Sequence, residues 1–293
     1  MRSILAVACF VLSVLVCAAQ TASPPAASPS PAAAPAAPRD PALPAAEETA
    51  KAALETSPRH GEYVDVKVPS GGAPVRTWIS YPERKGKAGV VIVIQEVFGL
   101  TDWIRAVADQ LAREGFVAVA PDLVSGHGPG GGGTESVASR DDVVKLVRAI
   151  TPEEATARLD AVRGYALKLP AANGKSATIG FCWGGARSFA YAVSQPDLRA
   201  AVVYYGSSPD PAALAAIKAP VLGLYGADDE RVNASVGPAE AEMKKLGKTY
   251  EVHTYEGAGH GFLRQQSGRE GKNLEATKQA WPRTVAFLRQ YLE

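Results

Sequence analysis

Gly180-Phe181-Cys182-Trp183-Gly184-Gly185 closes an apolar run over residues 177–181 and opens a helical pattern over residues 184–195. Glycines two before and two after a nucleophilic side chain mark a strand–turn–helix bend, the G-x-S-x-G elbow with cysteine in place of serine. So tight a bend strains the nucleophile's own backbone, and side chains at the flanking positions would collide; glycine removes the collision. The helix N-terminus beyond the bend offers free N–H groups and a positive dipole end, which stabilise an oxyanion. The alternative for Cys182 is a buried structural thiol beside a glycine-rich turn.

On both sides of this bend the chain alternates strand and helix patterns. Residues 63–68 and 75–81 read as an antiparallel pair around a Ser70-Gly71-Gly72 turn. Residues 89–94 and 116–120 are short apolar runs suited to strands buried on both faces. Between them, residues 102–114 bring Ile104, Val107, Ala108 and Leu111 onto one helical face, and Gly115 stops the helix. Further helices are expected near 137–150, 152–169, 237–246 and 274–292, and strands at 200–205, 221–225 and 250–255. This alternation predicts an α/β domain with a mostly parallel central sheet and helices on both faces.

A cysteine nucleophile needs a base and a group to orient it. In α/β-hydrolases the chain order is nucleophile, acid, histidine. Only His253 and His260 follow Cys182. His253 lies inside a strand pattern. His260 lies in the glycine-lined segment Glu256-Gly257-Ala258-Gly259-His260-Gly261-Phe262, just after that strand, where α/β sheets carry their chemistry. The acid is expected after the strand at 221–225. Asp229 is favoured, three residues after Gly226 and three before the anchoring Val232, with Asp228 and then Glu230 as rivals. Upstream, Gln95-Glu96-Val97-Phe98-Gly99 follows a buried strand. The backbone N–H groups of Val97 and Trp183 are the expected oxyanion donors, and Glu96 is either functional or a salt bridge at a loop start.

These four segments, in this order, resemble the dienelactone hydrolase (carboxymethylenebutenolidase) family, over the chain from about residue 60 to its end. The resemblance implies an α/β-hydrolase fold and a Cys182–His260–Asp229 triad acting on small esters or lactones through a thioester. It also implies that Glu96 governs the thiol, and that Arg264 and Phe98 bind substrate, Arg264 by holding a substrate carboxylate. The sequence departs from the family after Pro121-Asp122-Leu123, where a second substrate-binding arginine and a tyrosine are absent from Val124-Ser125-Gly126-His127-Gly128. Residues 126–133 are expected instead to form a mobile loop over the pocket mouth, with His127 a solvated decoration of it. A non-catalytic or thiol-sensing protein on the same scaffold is the alternative function.

Ahead of this domain, Arg2 and the apolar run 4–16 read as an export signal over residues 1–19, too short to span a bilayer. A lipid anchor at Cys17 is the less favoured reading, because Val16 stands where a small residue is wanted. The Ala/Pro-rich stretch 20–57 is expected as a disordered tether, with the domain running over 58–293. Removal of the leader leaves Cys182 as the single thiol, so no internal disulfide is expected in an exported (periplasmic or secreted) protein. With 31 basic and 30 acidic residues, nothing points to nucleic acid as a partner; a monomer with no cofactor is expected.

Several motifs fail. Residues 128–133 satisfy G-x-G-x-x-G formally, but Pro129 and the lack of a strand-to-helix run exclude a dinucleotide site. Gly174-Lys175-Ser176 lacks the first glycine of a phosphate loop, Leu169 standing there instead. No paired His/Cys ligand set suggests a metal. Asn233-Ala234-Ser235 is a glycosylation sequon.

Overall fold

The computed structural model describes residues 40–293; the expected leader (1–19) and the first part of the expected tether (20–39) lie outside the described residues. Eight strands form one sheet in the order β1-β2-β4-β3-β5-β6-β7-β8. They are β1 (Gly61–Val66), β2 (Val75–Ser80), β3 (Ala88–Ile94), β4 (Val117–Pro121), β5 (Ala172–Phe181), β6 (Ala200–Tyr204), β7 (Val221–Gly226) and β8 (Tyr250–Tyr255). β2 runs antiparallel to β1 and to β4, and every other pairing is parallel. The helices are α1 (Ala50–Glu55), α2 (Asp102–Arg113), α3 (Arg140–Ala149), α4 (Pro152–Ala166), α5 (Trp183–Ser194), α6 (Glu230–Asn233), α7 (Val236–Lys245) and α8 (Lys272–Leu292). This is the mostly parallel α/β sheet that the alternation predicts, and it agrees with the α/β-hydrolase fold that the resemblance implies.

The buried strands show why both faces must be covered. In β3, Val91 and Val93 pack with residues of α1, α2 and α8, while Val90, Ile92 and Ile94 pack with residues of α4, α5 and α7. Every residue of β3 is buried, as a strand between two helical layers requires. The chain adds β4 on one side of β3 and then returns to add β5 on the other. The sheet therefore changes its direction of growth between β3 and β5, and loops leaving the carboxyl ends there part to form a crevice. Ile94 pairs with Gly180, so the segments after β3 and β5 leave the sheet side by side.

The domain boundary differs from the expected one at residue 58. Leu43, Ala45, Ala46 and Ala50 are buried. The indole Nε1 of Trp103 donates to the Ala45 carbonyl at 3.0 Å, Gln110 Nε2 to the Pro41 carbonyl at 3.2 Å, and Gln266 Nε2 to the Pro44 carbonyl at 2.9 Å. Residues 40–57 thus belong to the folded unit. Composition hid this, because alanine and proline signal little driving force; the docking depends on donors supplied from far along the chain.

The glycine-rich loop is a second correction. Gly126 N and Gly128 N both donate to the Gly132 carbonyl, at 2.9 and 3.0 Å. The Asp122 carboxylate accepts from Thr134 N at 2.6 Å and Thr134 Oγ1 at 2.7 Å. His127 Nε2 lies 2.6 Å from Glu154 Oε1, and buried Arg158 donates to the carbonyls of Leu123 and Ser125 at 3.2 and 2.7 Å. The segment is knitted to α4, His127 is part of the knitting, and none of residues 126–133 lines the cavity at Cys182. Among the described residues no helix is long and apolar enough to cross a membrane.

Candidate active site

β5 ends at Phe181 and α5 begins at Trp183, so Cys182 occupies the bend alone, at φ 56° and ψ −116°. Its N–H donates to the Tyr204 carbonyl at 3.0 Å, and its carbonyl accepts from Ala186 N at 3.2 Å. These two bonds hold a conformation that L-residues avoid. The flanking glycines are required by contact: a Cβ at residue 180 would fall 1.9 Å from the Gly184 carbonyl oxygen, and one at residue 184 would fall 2.3 Å from the carbonyl oxygens of Ile94 and Gln95.

Two further strand ends carry the residues expected as acid and base. Asp229 follows β7 and His260 follows β8, and the loops join through Asp228 N donating to the Ala258 carbonyl at 3.1 Å. Asp229 is buried, and its Oδ2 lies 2.5 Å from His260 Nδ1. Of the rivals, Asp228 is exposed and paired with Arg269 at 2.8 Å, and Glu230 is exposed. His253 stays within β8 and does not line the cavity.

Burial would lower the proton affinity of His260, but the pull of Asp229 and Cys182 on the imidazolium outweighs it and raises its pKa from 6.5 to about 9. Because the folded value is the higher one, the stabilisation is complete below about pH 6.5 and is lost as pH rises through about 9. Asp229→Asn removes the main partner. The melting-temperature gap between wild type and this variant is therefore expected to shrink between pH 6.5 and 9.5. A gap constant across that range would contradict the coupling.

Cys182, Trp183, Glu96, Val97, Phe98, His260 and Arg264 share one cavity of about 550 Å³. The N–H groups of Val97 and Trp183 donate no hydrogen bond within the described residues. Glu96 is buried, and desolvation raises its affinity for a proton despite the opposing charges of Arg264 and His260. Arg264 Nε lies 2.6 Å from Glu96 Oε2, but its N–H is not aligned on that oxygen, so the contact is an ion pair without a well-formed hydrogen bond. Phe98 is a platform for two guanidinium groups, Arg140 at 3.6 Å and Arg264 at 5.1 Å from its ring centroid. A cavity of about 650 Å³ between β1 and α4, lined in part by Val66, Ala161 and Tyr165, is larger but carries none of this chemistry. No group of metal-ligating side chains occurs among the described residues.

The dienelactone hydrolase family model matches residues 75–292. The chain belongs to the dienelactone hydrolase family. It is 31% identical over 237 residues to a Salmonella typhimurium protein named "Putative carboxymethylenebutenolidase", covering 76% of this chain and 86% of that one. A protein of the same name from Saccharolobus solfataricus is 31% identical over 258 residues, covering 75% and 96% of the two chains. Among solved structures, a "Putative Dienelactone Hydrolase" from Klebsiella pneumoniae superposes with a TM-score of 0.69 at 29% identity, over 79% of this chain and all of that one. As a member of the dienelactone hydrolase family, the chain is a carboxylic ester hydrolase.

Beyond the residues expected from the dienelactone hydrolase motifs, the structure brings others to the cavity. Tyr205 lines it with a backbone at φ 39° and a buried hydroxyl that has no partner, its ring 5.2 Å from that of His260. Arg148 and Arg231 line it as exposed cations. Asn233 donates its amide to the carbonyls of Gly226 and Ala227, at 2.8 and 3.3 Å, clamping the loop that carries Asp229. Its sequon hid that role, and no local signal marks Tyr205 or Arg148.

Proposed function

We propose that this hydrolase cleaves small carboxylic esters or lactones by nucleophilic catalysis from Cys182, through a thioester. The observation that carries the reading is buried Asp229 at 2.5 Å from His260 Nδ1, with His260 and Cys182 lining the same cavity. In this reading the thiol proton passes to His260. The thiolate sulfur bonds to the substrate carbonyl carbon, and the resulting oxyanion is held by the N–H groups of Val97 and Trp183. The carbon–oxygen bond to the alcohol breaks, and His260 gives its proton to the leaving alkoxide.

Acylation changes the base itself. Part of what raises the pKa of His260 comes from Cys182, as a hydrogen bond and as charge. Once the sulfur is acylated that part disappears, and the imidazole returns toward the range where it accepts a proton from water. Water then attacks the thioester, and the carboxylic acid leaves as the thiolate re-forms. Glu96 lines the same cavity and has a raised proton affinity, so it offers a second acceptor for the thiol proton, with Arg264 controlling its charge.

Mass spectrometry tests this order of events. His260→Gln removes the base for the second step while Glu96 remains to accept the thiol proton in the first, so exposure to 4-nitrophenyl acetate is expected to leave an acetyl group on the peptide containing Cys182. Wild type is expected to show that adduct only transiently. Acetyl groups found elsewhere, with none on Cys182, would overturn the mechanism.

A further inference from the structure

Arg264 is the cation that the family resemblance assigns to a substrate carboxylate, and in this chain both of its carboxylate-binding edges are engaged from within. A guanidinium offers two parallel pairs of N–H groups, Nη1 with Nη2 and Nε with Nη2. Nη1 donates to Oε2 of Glu47, and Nε stands 2.6 Å from Oε2 of Glu96. Glu47 takes one donor of the first edge, and the Glu96 carboxylate, although not hydrogen-bonded to Nε, occupies the space in front of the second, so an incoming carboxylate can form a bidentate pair only by displacing one of these two side chains.

Glu47, whose side chain is half-buried, is held through its backbone and both carboxylate oxygens. Its own N–H donates to the Arg264 carbonyl at 3.0 Å, and its Oε1 lies 3.1 Å from Arg140 Nη2. Arg140 and Arg264 both lie over the Phe98 ring, which leaves Glu47 bridging two cations at the edge of the cavity. The preceding residues are fixed by the side-chain donors of Trp103 and Gln266. Glu47 also lies outside the stretch matched by the family model, which begins at residue 75. The second arginine expected after Leu123 is missing, so the carboxylate clamp is both halved and internally neutralised. Arg148 and Arg231 also line the cavity, but they are exposed, and water and salt screen them.

We infer that Glu47 is a specificity-determining residue: as an internal counter-ion for Arg264, it directs the site toward esters and lactones whose acyl group carries no carboxylate. The inference rests on the hydrolase reading above and deepens it. Its test compares two substrates of equal acyl length, 4-nitrophenyl butyrate and the 4-nitrophenyl monoester of succinate, on wild type, Glu47→Gln, Arg140→Gln and the double variant Glu47→Gln/Arg264→Gln. The ratio of kcat/KM for the succinate over the butyrate ester is expected to rise about tenfold in Glu47→Gln, through a lower KM for the anionic ester, since loss of Glu47 frees the Nη1/Nη2 edge of a buried cation for a charge-assisted pair with the substrate carboxylate. Arg140→Gln, which only loosens Glu47, moves the ratio the same way by less, and the double variant loses the gain. A ratio unchanged in both single variants, or a gain that survives the loss of Arg264, overturns the inference while leaving the hydrolase intact. Failure of wild type to cleave either ester overturns the hydrolase reading and this inference with it.

Discussion

Cys182→Ala is expected to lower turnover of 4-nitrophenyl esters by at least about 10,000-fold, the scale on which removal of a triad nucleophile acts. The residual rate comes from the cavity and the oxyanion donors alone. The fold is expected to persist, with a melting temperature within about 3 °C of wild type, because alanine keeps the backbone at this bend and a half-buried thiol contributes little packing. Cys182→Ser retains the geometry with a hydroxyl that is a far poorer nucleophile beside the same base, so it is expected to lie nearer the alanine variant than wild type. Ester turnover by Cys182→Ala equal to that of wild type would remove the sulfur from the mechanism altogether.

Gly180→Ala is expected to destabilise the protein by about 4 kcal/mol and lower its melting temperature by roughly 10 °C, among the larger effects of adding a single methyl group. The reason is contact with backbone, which cannot rotate aside: the new Cβ would sit 1.9 Å from the Gly184 carbonyl oxygen and 2.9 Å from Gly185 N. Relief requires moving the first turn of α5 away from β5, and that shift opens the bend holding Cys182, so activity is expected to fall with stability. Gly164→Ala is the contrast. Gly164 lies within α4 with open space where its Cβ would go. There alanine is expected to stabilise by about 0.5–1 kcal/mol, because the unfolded chain loses freedom and the helix loses nothing. Equal melting temperatures for the two variants would show that the bend tolerates a side chain and that its glycines are incidental.

The architecture, and the segments that supply the proposed triad, were legible in the sequence because both are written locally. A strand buried on both faces must be a continuous apolar run, as residues 89–94 are, and a bend this tight must be flanked by glycines. The same steric logic marked out Gly180 and Gly184 before any coordinates. Chain order left His253 and His260, and their setting favoured His260, because a histidine inside a strand packs or faces solvent whereas one in a loop at the strand's carboxyl end lies where α/β sheets carry their chemistry. Local spacing from Gly226 and Val232 favoured Asp229 but left Asp228 as a rival. Adjacent residues at a strand exit point in different directions, and only the approach of the His260 loop, closed by Asp228 N on the Ala258 carbonyl, turns Asp229 inward and leaves Asp228 to Arg269.

By itself, then, the sequence determined the alternation of strands and helices, the sulfur at the bend, and the histidine that follows in chain order, since each depends on spacing within a few residues. The tertiary structure alone decided that residues 40–57 dock on α2, that the glycine-rich loop is tied down away from the cavity, and that Arg264 meets Glu47. Each of these depends on bonds between groups far apart in the chain, such as Gln110 with Pro41, Arg158 with Ser125 and Arg264 with Glu47. A pairing of that kind leaves no periodicity or composition behind for a reader of the chain to find.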